Sequence, residues 1–364
     1  MHPFELVDGA GINSLSDALS GQECIGLDTE FMRETTYFPQ LCLVQIATEQ
    51  RIYCVDPLVD RNLDEFWQAL MWPSWVVHSG RQDVEVLFLS SGLMPDRIFD
   101  TQIAAALLGY APQLGYAALV SELFGVDLAK SHTRADWSRR PLAEEFLHYA
   151  AEDVEYLLPA QQLLVARLGK EGRLHWAEED SNDLLDRTLY AADPKAAVQR
   201  LKGARYLSGR ARRAAEMLAA WREREALRLD RPRQWILKDS VLLDLAITGP
   251  EGITALAGTT HLPPKTARRV GQDLLAILAD ARSDADAAGD EHQAPPRLDE
   301  TEKKLLKPMQ AIVAAAGKTL GVLPEVIASR KELAAALHGE RNLRVFRGWR
   351  RGLVGEKLLE LLER

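Results

Sequence analysis

The distribution of strand-like segments along the 364-residue chain constrains its fold more than any other feature. The first 60 residues contain three β-rich runs joined by short connections, which favour antiparallel neighbours. Residues 75–80 are predicted as a fourth strand and residues 97–109 as a short strand followed by a helix. From about residue 171 onward only helical patterns remain. The chain is therefore predicted to begin with a mixed α/β sheet covered by helices and to continue as all-α domains.

The second half of the chain contains a weak internal repeat. The stretches "ALRLDRPRQWILKDSVLLDLA" and "TLGVLPEVIASRKELAAAL" share an order of helix, proline, apolar pair, basic turn and Leu/Ala-rich helix, with Pro232 and Pro324 92 residues apart. Between them lies an acidic, Ala/Pro-rich stretch without core residues. We predict the following organisation: an α/β domain over 1–170, a helical connector over 171–199, helical domains over 200–283 and 297–364, and an acidic linker over 284–296.

Charge is distributed unevenly along the chain. The formal net charge is −9, and residues 1–170 contain 24 Asp/Glu against 11 Lys/Arg, a net of −13. Residues 195–238 contain 13 Lys/Arg against 4 Asp/Glu, a net of +9. This asymmetry predicts a polyanionic partner for the basic middle of the chain. The acidic first part needs a separate explanation.

Composition excludes several other classes of protein. No apolar run approaches the roughly 18 residues of a membrane span. The N-terminal stretch lacks the pattern of a secretory signal. The three cysteines, Cys24, Cys42 and Cys54, lack CxxC spacing, which argues against a disulfide framework or a zinc site. We therefore expect a cytoplasmic protein with buried thiols and no membrane partner. We also expect a monomer, although nothing in the composition determines the oligomeric state.

Acidic residues stand out in three places in the first domain. In "CIGLDTEFM", Asp28 and Glu30 follow an apolar run and lie two residues apart, so they share one face of a predicted strand. Asp83 opens the helix after the fourth strand, in "HSGRQDVEVL". In "YAAEDVEYLL", Tyr149 and Asp153 are four residues apart and share a helix face. Carboxylates that converge raise each other's pKa, and divalent cations relieve their repulsion.

Mg²⁺ or Mn²⁺ suits such a cluster because these hard ions prefer carboxylate oxygens. Two ions about 3.5–4 Å apart can activate a water molecule and stabilise the leaving oxygen of a phosphodiester. The pair at Asp28 and Glu30 is therefore interpreted as a metal platform.

The three motifs "LDTE", "HSGRQDVEVL" and "YAAED", in this order, resemble the exonuclease motifs of the DEDD nucleases. The Tyr-x3-Asp spacing is similar to the tyrosine subclass. The intervening "ETTYFPQLCLVQIA", "IFDTQIAAALLG" and "LAKSHTRADWSRRPL" resemble the bacterial ribonuclease D family, and the helical repeats resemble the HRDC domains that follow its nuclease domain. The resemblance covers nearly the whole chain.

This resemblance implies a fold, an activity and residue roles. The fold would be ribonuclease H-like, a mixed five-stranded sheet with helices on both sides, followed by two HRDC-like domains. The activity would be metal-dependent 3′→5′ exoribonuclease action that releases nucleoside 5′-monophosphates, with transfer RNA precursors as substrates. Asp28, Glu30 and Asp153 would bind the metals, with Asp28 bridging both. Asp83 would act on the second metal, and Tyr149 would orient the attacking water.

Several residues have an alternative interpretation. Asp100 resembles a metal ligand, but its position before a helix favours an N-cap. His78, at the end of an apolar strand, is expected to be a hydrogen-bonded core histidine rather than a general base.

DNA remains an alternative substrate, because proofreading nucleases share these motifs. A nuclease fold that only captures RNA or protein is the third hypothesis, which the intact set of acidic residues opposes.

Other residues are candidates for contact with RNA. Gln45 is a polar residue in a buried strand, either a satisfied core group or a contact to the terminal nucleotide. "RNLRVFRGWRRG" (341–352) mixes arginines with Phe346 and Trp349, which suits single-stranded RNA or simply packs the last domain. The candidate substrate-binding residues are Gln45, Lys130, Arg134, Arg139, Arg212 and Arg213.

Overall fold

The computed structural model describes residues 4–7, 11–59, 63–128, 135–259, 262–288 and 298–363. The chain forms two compact units. The first unit comprises Met1–Met32, Gln40–Tyr190 and Leu298–Arg364, and the second comprises Arg33–Pro39 and Ala191–Arg297. The C-terminal helical region therefore belongs to the same compact unit as the α/β domain.

The first unit is built around a mixed sheet, as predicted. Its strands are β1 (Phe4–Val7), β2 (Cys24–Met32), β3 (Gln40–Ala47), β4 (Ile52–Val55), β5 (Ser74–Val77) and β6 (Ile98–Asp100). The strand order is β1-β4-β3-β2-β5-β6. The pairs β2–β3 and β3–β4 are antiparallel, and the other pairs are parallel.

The sheet has six strands, one more than the five expected. The additional strand is β1, which pairs with β4 at the sheet edge. It is only four residues long and leaves Glu5 and Leu6 exposed, so no alternation of buried and exposed residues marks it in the sequence. Its backbone pairing, which depends on the tertiary structure, defines this strand.

Helices cover both faces of the sheet. Neighbouring residues of a strand point to opposite faces, so apolar residues of one strand pack against helices on both sides. On β3, Val44 and Ile46 pack in a cluster with Phe66, whereas Leu43 packs in another cluster with Leu147. The helices of the first 190 residues are α1 (Ile12–Leu19), α2 (Asp64–Leu70), α3 (Arg81–Ser91), α4 (Thr101–Leu107), α5 (Tyr116–Phe124), α6 (Glu144–Glu155), α7 (Leu157–Lys170) and α8 (Leu174–Asn182).

The second unit is helical and has its own hydrophobic core. Its helices are α9 (Gly209–Leu229), α10 (Arg233–Ile236), α11 (Asp239–Thr248), α12 (Ile253–Thr259) and α13 (Pro264–Ala288). Helix α9 ends at Asp230, which has a left-handed backbone with φ 46°. Helix α13 extends to Ala288, beyond residue 283, where we expected the linker to begin.

The segment Arg33–Pro39, between β2 and β3, belongs to the helical unit. Asp230 Oδ1 accepts hydrogen bonds from the backbone N–H groups of Tyr37 at 2.9 Å and Phe38 at 3.0 Å. The Tyr37 hydroxyl donates to Glu223 Oε1 at 2.5 Å. The connection that leaves β2 is therefore held by the end of α9.

The C-terminal region consists of α14 (Glu300–Leu320), α15 (Pro324–Ile327), α16 (Arg330–Leu337), α17 (Gly348–Arg350), a π-helical turn (Arg351–Gly355) and α18 (Glu356–Leu362). Trp349 stacks on Trp176 of α8, with ring centroids 4.3 Å apart. Arg350 is 2% exposed and pairs with Asp180 of α8 at 2.5 Å. Phe346 is also buried. Of the two interpretations of "RNLRVFRGWRRG", the structure shows that these aromatic residues pack the interior.

None of the helices in the described part of the chain combines the length and apolarity that a membrane span requires.

Candidate active site

Strand β2 presents Asp28 and Glu30 on the face that α6 covers. In the β2–β3 register, Asp28 lies opposite Gln45 and Glu30 lies opposite Leu43. Strand β2 pairs with β5 only over Cys24–Gly26, so both carboxylates lie beyond the last paired residue. In α/β sheets, the carboxyl ends of strands where the topology changes are the usual place for a site.

Asp83 reaches the site from the first turn of α3. Its side chain is buried, and Oδ1 accepts a hydrogen bond of 2.6 Å from Thr29 Oγ1, on the residue between the two β2 carboxylates. Gly80, just before α3, cannot carry a side chain without a shift, because an added Cβ would lie 2.3 Å from Val77 Cγ2. The close packing of this turn therefore leaves no room for a side chain at the residue just before α3.

Helix α6 contributes Asp153 and Tyr149 from one face, as their spacing predicts. The Tyr149 hydroxyl donates a hydrogen bond to the Asp153 carboxylate. The Trp137 ring is buried and lies 6.2 Å from the Tyr149 ring. The tyrosine is therefore packed from one side and hydrogen-bonded at its hydroxyl.

The four carboxylates lie within electrostatic reach of one another. Burial raises the pKa of Asp28 well above its ordinary value, and Asp83, Asp153 and Glu30 each raise it further. Burial and the charges of Asp153 and Asp83 raise the pKa of Glu30 to about 8. Burial raises the pKa of Asp153 to about 7 and that of Asp83 to about 6. Asp28 and Glu30 thus each interact with all three other carboxylates.

The donor set fits a hard divalent cation. All four candidate ligands are carboxylates, which Mg²⁺ and Mn²⁺ prefer, and a cation would oppose the repulsion that raises their pKa values. Within the described residues, no group of three or more acidic, histidine or cysteine side chains is arranged so that it could already hold a metal ion. The chemistry of the donors, rather than a preformed cage, supports metal binding.

Comparisons with known proteins agree with this geometry. A family model described as 3′-5′ exonuclease matches residues 7–169, and one described as HRDC domain matches residues 211–278. Ribonuclease D of Gluconacetobacter diazotrophicus is 36% identical, with 99% of this chain and 92% of that protein covered. Ribonuclease D of Xanthomonas oryzae pv. oryzae is 37% identical, with 100% and 97% covered. The chain belongs to the ribonuclease D family.

Solved structures extend the likeness to the whole fold. The crystal structure of Escherichia coli RNase D matches with a TM-score of 0.90 and 29% identity, covering 99% of this chain and 98% of that one. The catalytic core of RRP6 from Trypanosoma brucei matches with a TM-score of 0.61 and 26% identity, covering 78% and 81%. The predicted family, the ribonuclease H-like fold and an HRDC domain after it are confirmed. As a member of this family, the chain is a divalent-metal-dependent 3′–5′ exoribonuclease.

The alternatives for Asp100 and His78 are decided by their hydrogen bonds. Asp100 is 2% exposed and caps α4, accepting from the Gln102 backbone N–H at 2.8 Å. It also accepts from the backbone N–H groups of Ser79 at 3.0 Å and Gly80 at 2.9 Å. His78 contacts the Thr101 hydroxyl at 2.9 Å and the Leu114 carbonyl at 2.8 Å, as expected of a core histidine. Asp100 therefore supports the turn that leads into α3.

The substrate-binding candidates lie in different surroundings. Gln45 is fully buried, and both polar atoms of its amide lack a hydrogen-bond partner. It is therefore neither a satisfied core group nor an exposed contact. Arg139 has 83% of its side chain exposed and pairs with Asp136 at 3.0 Å. Lys130 and Arg134 lie outside the described residues.

Arg212 and Arg213, in the helical unit, both pair with Glu216. The distances are 2.8 Å for Arg212 and 3.8 Å for Arg213. One carboxylate thus faces two guanidinium groups, so this part of α9 remains net positive.

Sequence reasoning missed two supports of the site. Thr29 lies inside "LDTE", and its place between two candidate ligands was the available signal. Arg140, just before α6, donates to Asp56 Oδ1 at 2.7 Å and to the Cys42 carbonyl at 2.7 Å. This partly buried pair ties the segment that precedes α6 to β3 and β4, and no local pattern marks it.

Proposed function

We propose that this family member shortens RNA one nucleotide at a time through a two-ion site and releases nucleoside 5′-monophosphates. Transfer RNA precursors with extra 3′ nucleotides are the substrate class that we propose. The convergence of four carboxylates on Asp28 is the observation that supports this proposal most strongly. The basic segment 195–238, with its net charge of +9, supports a polyanionic substrate.

We assign the metal-binding role to Asp28, Glu30, Asp83 and Asp153. Asp28 is proposed to be shared between the two ions, as the family resemblance implies, and its interactions with the three other carboxylates are consistent with that role. Thr29 would hold the Asp83 carboxylate in one orientation through its hydrogen bond of 2.6 Å. The ions, when bound, would supply the positive charge that favours ionisation of a water molecule and stabilises the departing 3′ oxygen.

Tyr149 is assigned the role of orienting the attacking water. Burial, followed by the charges of Asp153 and Glu30, raises the pKa of this phenol above its ordinary value. The hydroxyl therefore keeps its proton at neutral pH and acts as a hydrogen-bond donor and acceptor rather than as a base. Its hydrogen bond to Asp153 holds a neutral hydroxyl in one orientation beside the carboxylates.

We keep Gln45, Lys130, Arg134, Arg139, Arg212 and Arg213 as proposed substrate-binding residues. Within the first unit, Arg139 is the candidate best placed for this role. Its guanidinium is largely exposed, and the nearby Asp136 offsets its charge locally. Gln45 would have to gain its partners from a bound nucleotide or from ordered water.

The proposal is tested by a time course on a 5′-labelled RNA with a single-stranded 3′ tail, with Mg²⁺, Mn²⁺ or EDTA, beside the same sequence as DNA. We expect a ladder that shortens stepwise from the 3′ end, requires metal and forms faster on RNA. Faster shortening of DNA would contradict the assigned substrate. Binding of RNA without cleavage by either ion would instead favour a capture module.

A paired substitution isolates the acidic cluster. Asp28→Ala should abolish cleavage while the circular dichroism spectrum and melting profile remain those of a folded protein. Glu144→Gln is the matched control, because that carboxylate lies at the start of α6 with 87% of its side chain exposed. Retained cleavage by the Asp28→Ala protein would contradict the assignment of this site.

A further inference from the structure

The connector before α9 forms a groove in the helical unit. The groove encloses about 680 Å³, and its lining includes Val198, Lys202, Arg205, Tyr206 and Arg212. Most of these residues precede residue 211, where the match to the HRDC family model begins. The groove therefore lies at the edge of the matched domain rather than inside it.

The floor of this groove is anchored in the core of the unit. Leu201 and Ala204 are 2% and 0% exposed and belong to its hydrophobic cluster. Successive turns connect them, with Ala204 N–H donating to the Leu201 carbonyl at 3.1 Å and Tyr206 N–H to the Gly203 carbonyl at 3.0 Å. Gly203 adopts a positive φ of 101°, which permits the chain to turn here. Lys202, Arg205 and Tyr206 are exposed beside these buried anchors.

Two side chains of the groove form a cation–aromatic platform. The Arg205 guanidinium lies 4.6 Å from the centroid of the Tyr206 ring and donates to its hydroxyl at 2.5 Å. The tyrosine nevertheless keeps 60% of its surface exposed, a large value for an aromatic residue. Arg212 donates to the Ala204 carbonyl at 3.1 Å, which places a second guanidinium beside the same turn. An exposed ring next to fixed cations suits a nucleobase and its phosphates.

Charge indicates which partner this surface fits. Residues 195–238 contain 13 Lys/Arg against 4 Asp/Glu, whereas residues 1–170 have a net charge of −13. A polyanion is therefore attracted to the second unit and repelled by most of the first. An anion without bases would use the cations but not the exposed ring, so the ring favours a single-stranded nucleic acid.

We propose that this groove binds the single-stranded part of the RNA upstream of the 3′ end. One base stacks on Tyr206, and Lys202 and Arg205 contact the adjacent phosphates. This inference rests on the proposed exoribonuclease function and names the surface that holds longer substrates.

The test measures the affinity of the full chain for 5′-fluorescein RNA of 12 and of 3 nucleotides by anisotropy in EDTA. Tyr206→Ala should weaken binding of the 12-nucleotide RNA about tenfold, a typical effect of removing one stacked base contact. Lys202→Gln and Arg205→Gln should each reduce the slope of log affinity against log salt by about 0.7. Cleavage of the 3-nucleotide RNA with metal should remain unchanged in all three variants.

Matched variants separate stacking from general effects. Tyr206→Phe keeps the ring and should bind like the unmodified chain. Lys331→Gln removes one exposed charge from α16, and Trp72→Ala removes a ring that is 67% exposed; neither should weaken binding. Because Tyr206 is largely exposed, its substitution should leave the melting temperature unchanged.

The outcomes distinguish this inference from the proposed function. If Tyr206→Ala binds the 12-nucleotide RNA as tightly as the unmodified chain, the groove is not the RNA site. Equal weakening of poly-glutamate binding would also overturn it, since that would indicate an anion site without stacking. If the chain binds RNA through Tyr206 but cleaves no RNA with either ion, the RNA-binding role of the groove is supported and the exonuclease assignment is contradicted.

Discussion

At the residue scale, Tyr149 shows how environment defines a role. A tyrosine in the helix could be ordinary core, but burial and nearby carboxylates hold its pKa above the ordinary value and keep its hydroxyl protonated. Its hydrogen bond to Asp153 then makes it part of the acidic cluster.

Tyr149→Phe should therefore lower kcat by about 10²–10³-fold, the usual cost of removing one positioned hydrogen bond at a reacting group. The change in KM should be small, because the ring remains in place. Steady-state cleavage of a short RNA measures both constants, and Tyr156→Phe, at the end of α6, is the matched control. A kcat within threefold of the unmodified chain would contradict the assigned role.

Gln45 provides a second prediction, because its buried amide lacks partners. Gln45→Met keeps the length of the side chain and removes the unsatisfied polar atoms, so the free energy of unfolding should rise by about 1–2 kcal/mol. If the amide serves RNA, cleavage should fall at the same time. Chemical denaturation and a cleavage assay on the same preparation measure the two effects.

Leu43 is the control for this substitution, because it is also fully buried and lies opposite Glu30. Leu43→Met should cost less than about 1.5 kcal/mol and leave cleavage intact. A Gln45→Met protein less stable than the unmodified chain would show that the amide is satisfied in solution, for example by ordered water.

At the element scale, the end of α9 serves the segment that follows β2. A left-handed position at the end of a helix usually contains glycine, yet residue 230 is an aspartate with φ 46°. Its carboxylate accepts two backbone hydrogen bonds from Arg33–Pro39, which explains why a strained residue is tolerated.

Asp230→Gly should keep the helix end and lose this anchor. We expect amide exchange at Tyr37 and Phe38 to accelerate at least tenfold, since two hydrogen bonds to a charged group are removed. The melting temperature should change little, because relief of backbone strain offsets part of the loss. Hydrogen exchange with mass spectrometry measures the segment directly.

Asp230→Asn is the matched variant for this anchor. Asparagine tolerates the left-handed conformation and retains an acceptor oxygen, so exchange at Tyr37 and Phe38 should stay close to that of the unmodified chain. Equal exchange rates in the glycine and aspartate proteins would show that the carboxylate does not hold the segment.

At the scale of the whole molecule, the acidic cluster links stability to pH and to metal. Glu30, Asp153 and Asp83 have folded-state pKa values of about 8, 7 and 6, above ordinary values of 4.5 and 3.8. Between about pH 4 and pH 8 the folded state therefore binds more protons than the unfolded state. Stability falls as pH rises through this window.

In EDTA, the melting temperature should accordingly fall between pH 5.5 and pH 8 by a few degrees. Added Mg²⁺ should raise it more at pH 8 than at pH 5.5, because protons compete with the ion for the carboxylates. Asp28→Asn should flatten both dependences, as it removes the charge that interacts with the other three. A melting temperature of the unmodified chain that rises toward pH 8 in EDTA would contradict this account.

The sequence by itself determined the sheet class, and it predicted the site carboxylates and the order of the domains. These properties follow from local signals: apolar runs and two-residue spacing for β2, four-residue spacing for Tyr149 and Asp153, and turn residues between elements. The N-cap at Asp100 and the end of α9 near Asp230 were predictable for the same reason. Each depends on neighbours within about four positions in the chain.

Only the tertiary structure decided which distant residues meet. The edge strand β1, the bond from Thr29 to Asp83, the pair of Arg140 with Asp56 and the stack of Trp349 on Trp176 join residues 48 to 173 positions apart. The same is true of Gln45, whose buried and unpaired amide is visible only when the layers above the strand are in place. Burial and pairing are properties of the packed chain, because they depend on surfaces that different elements contribute.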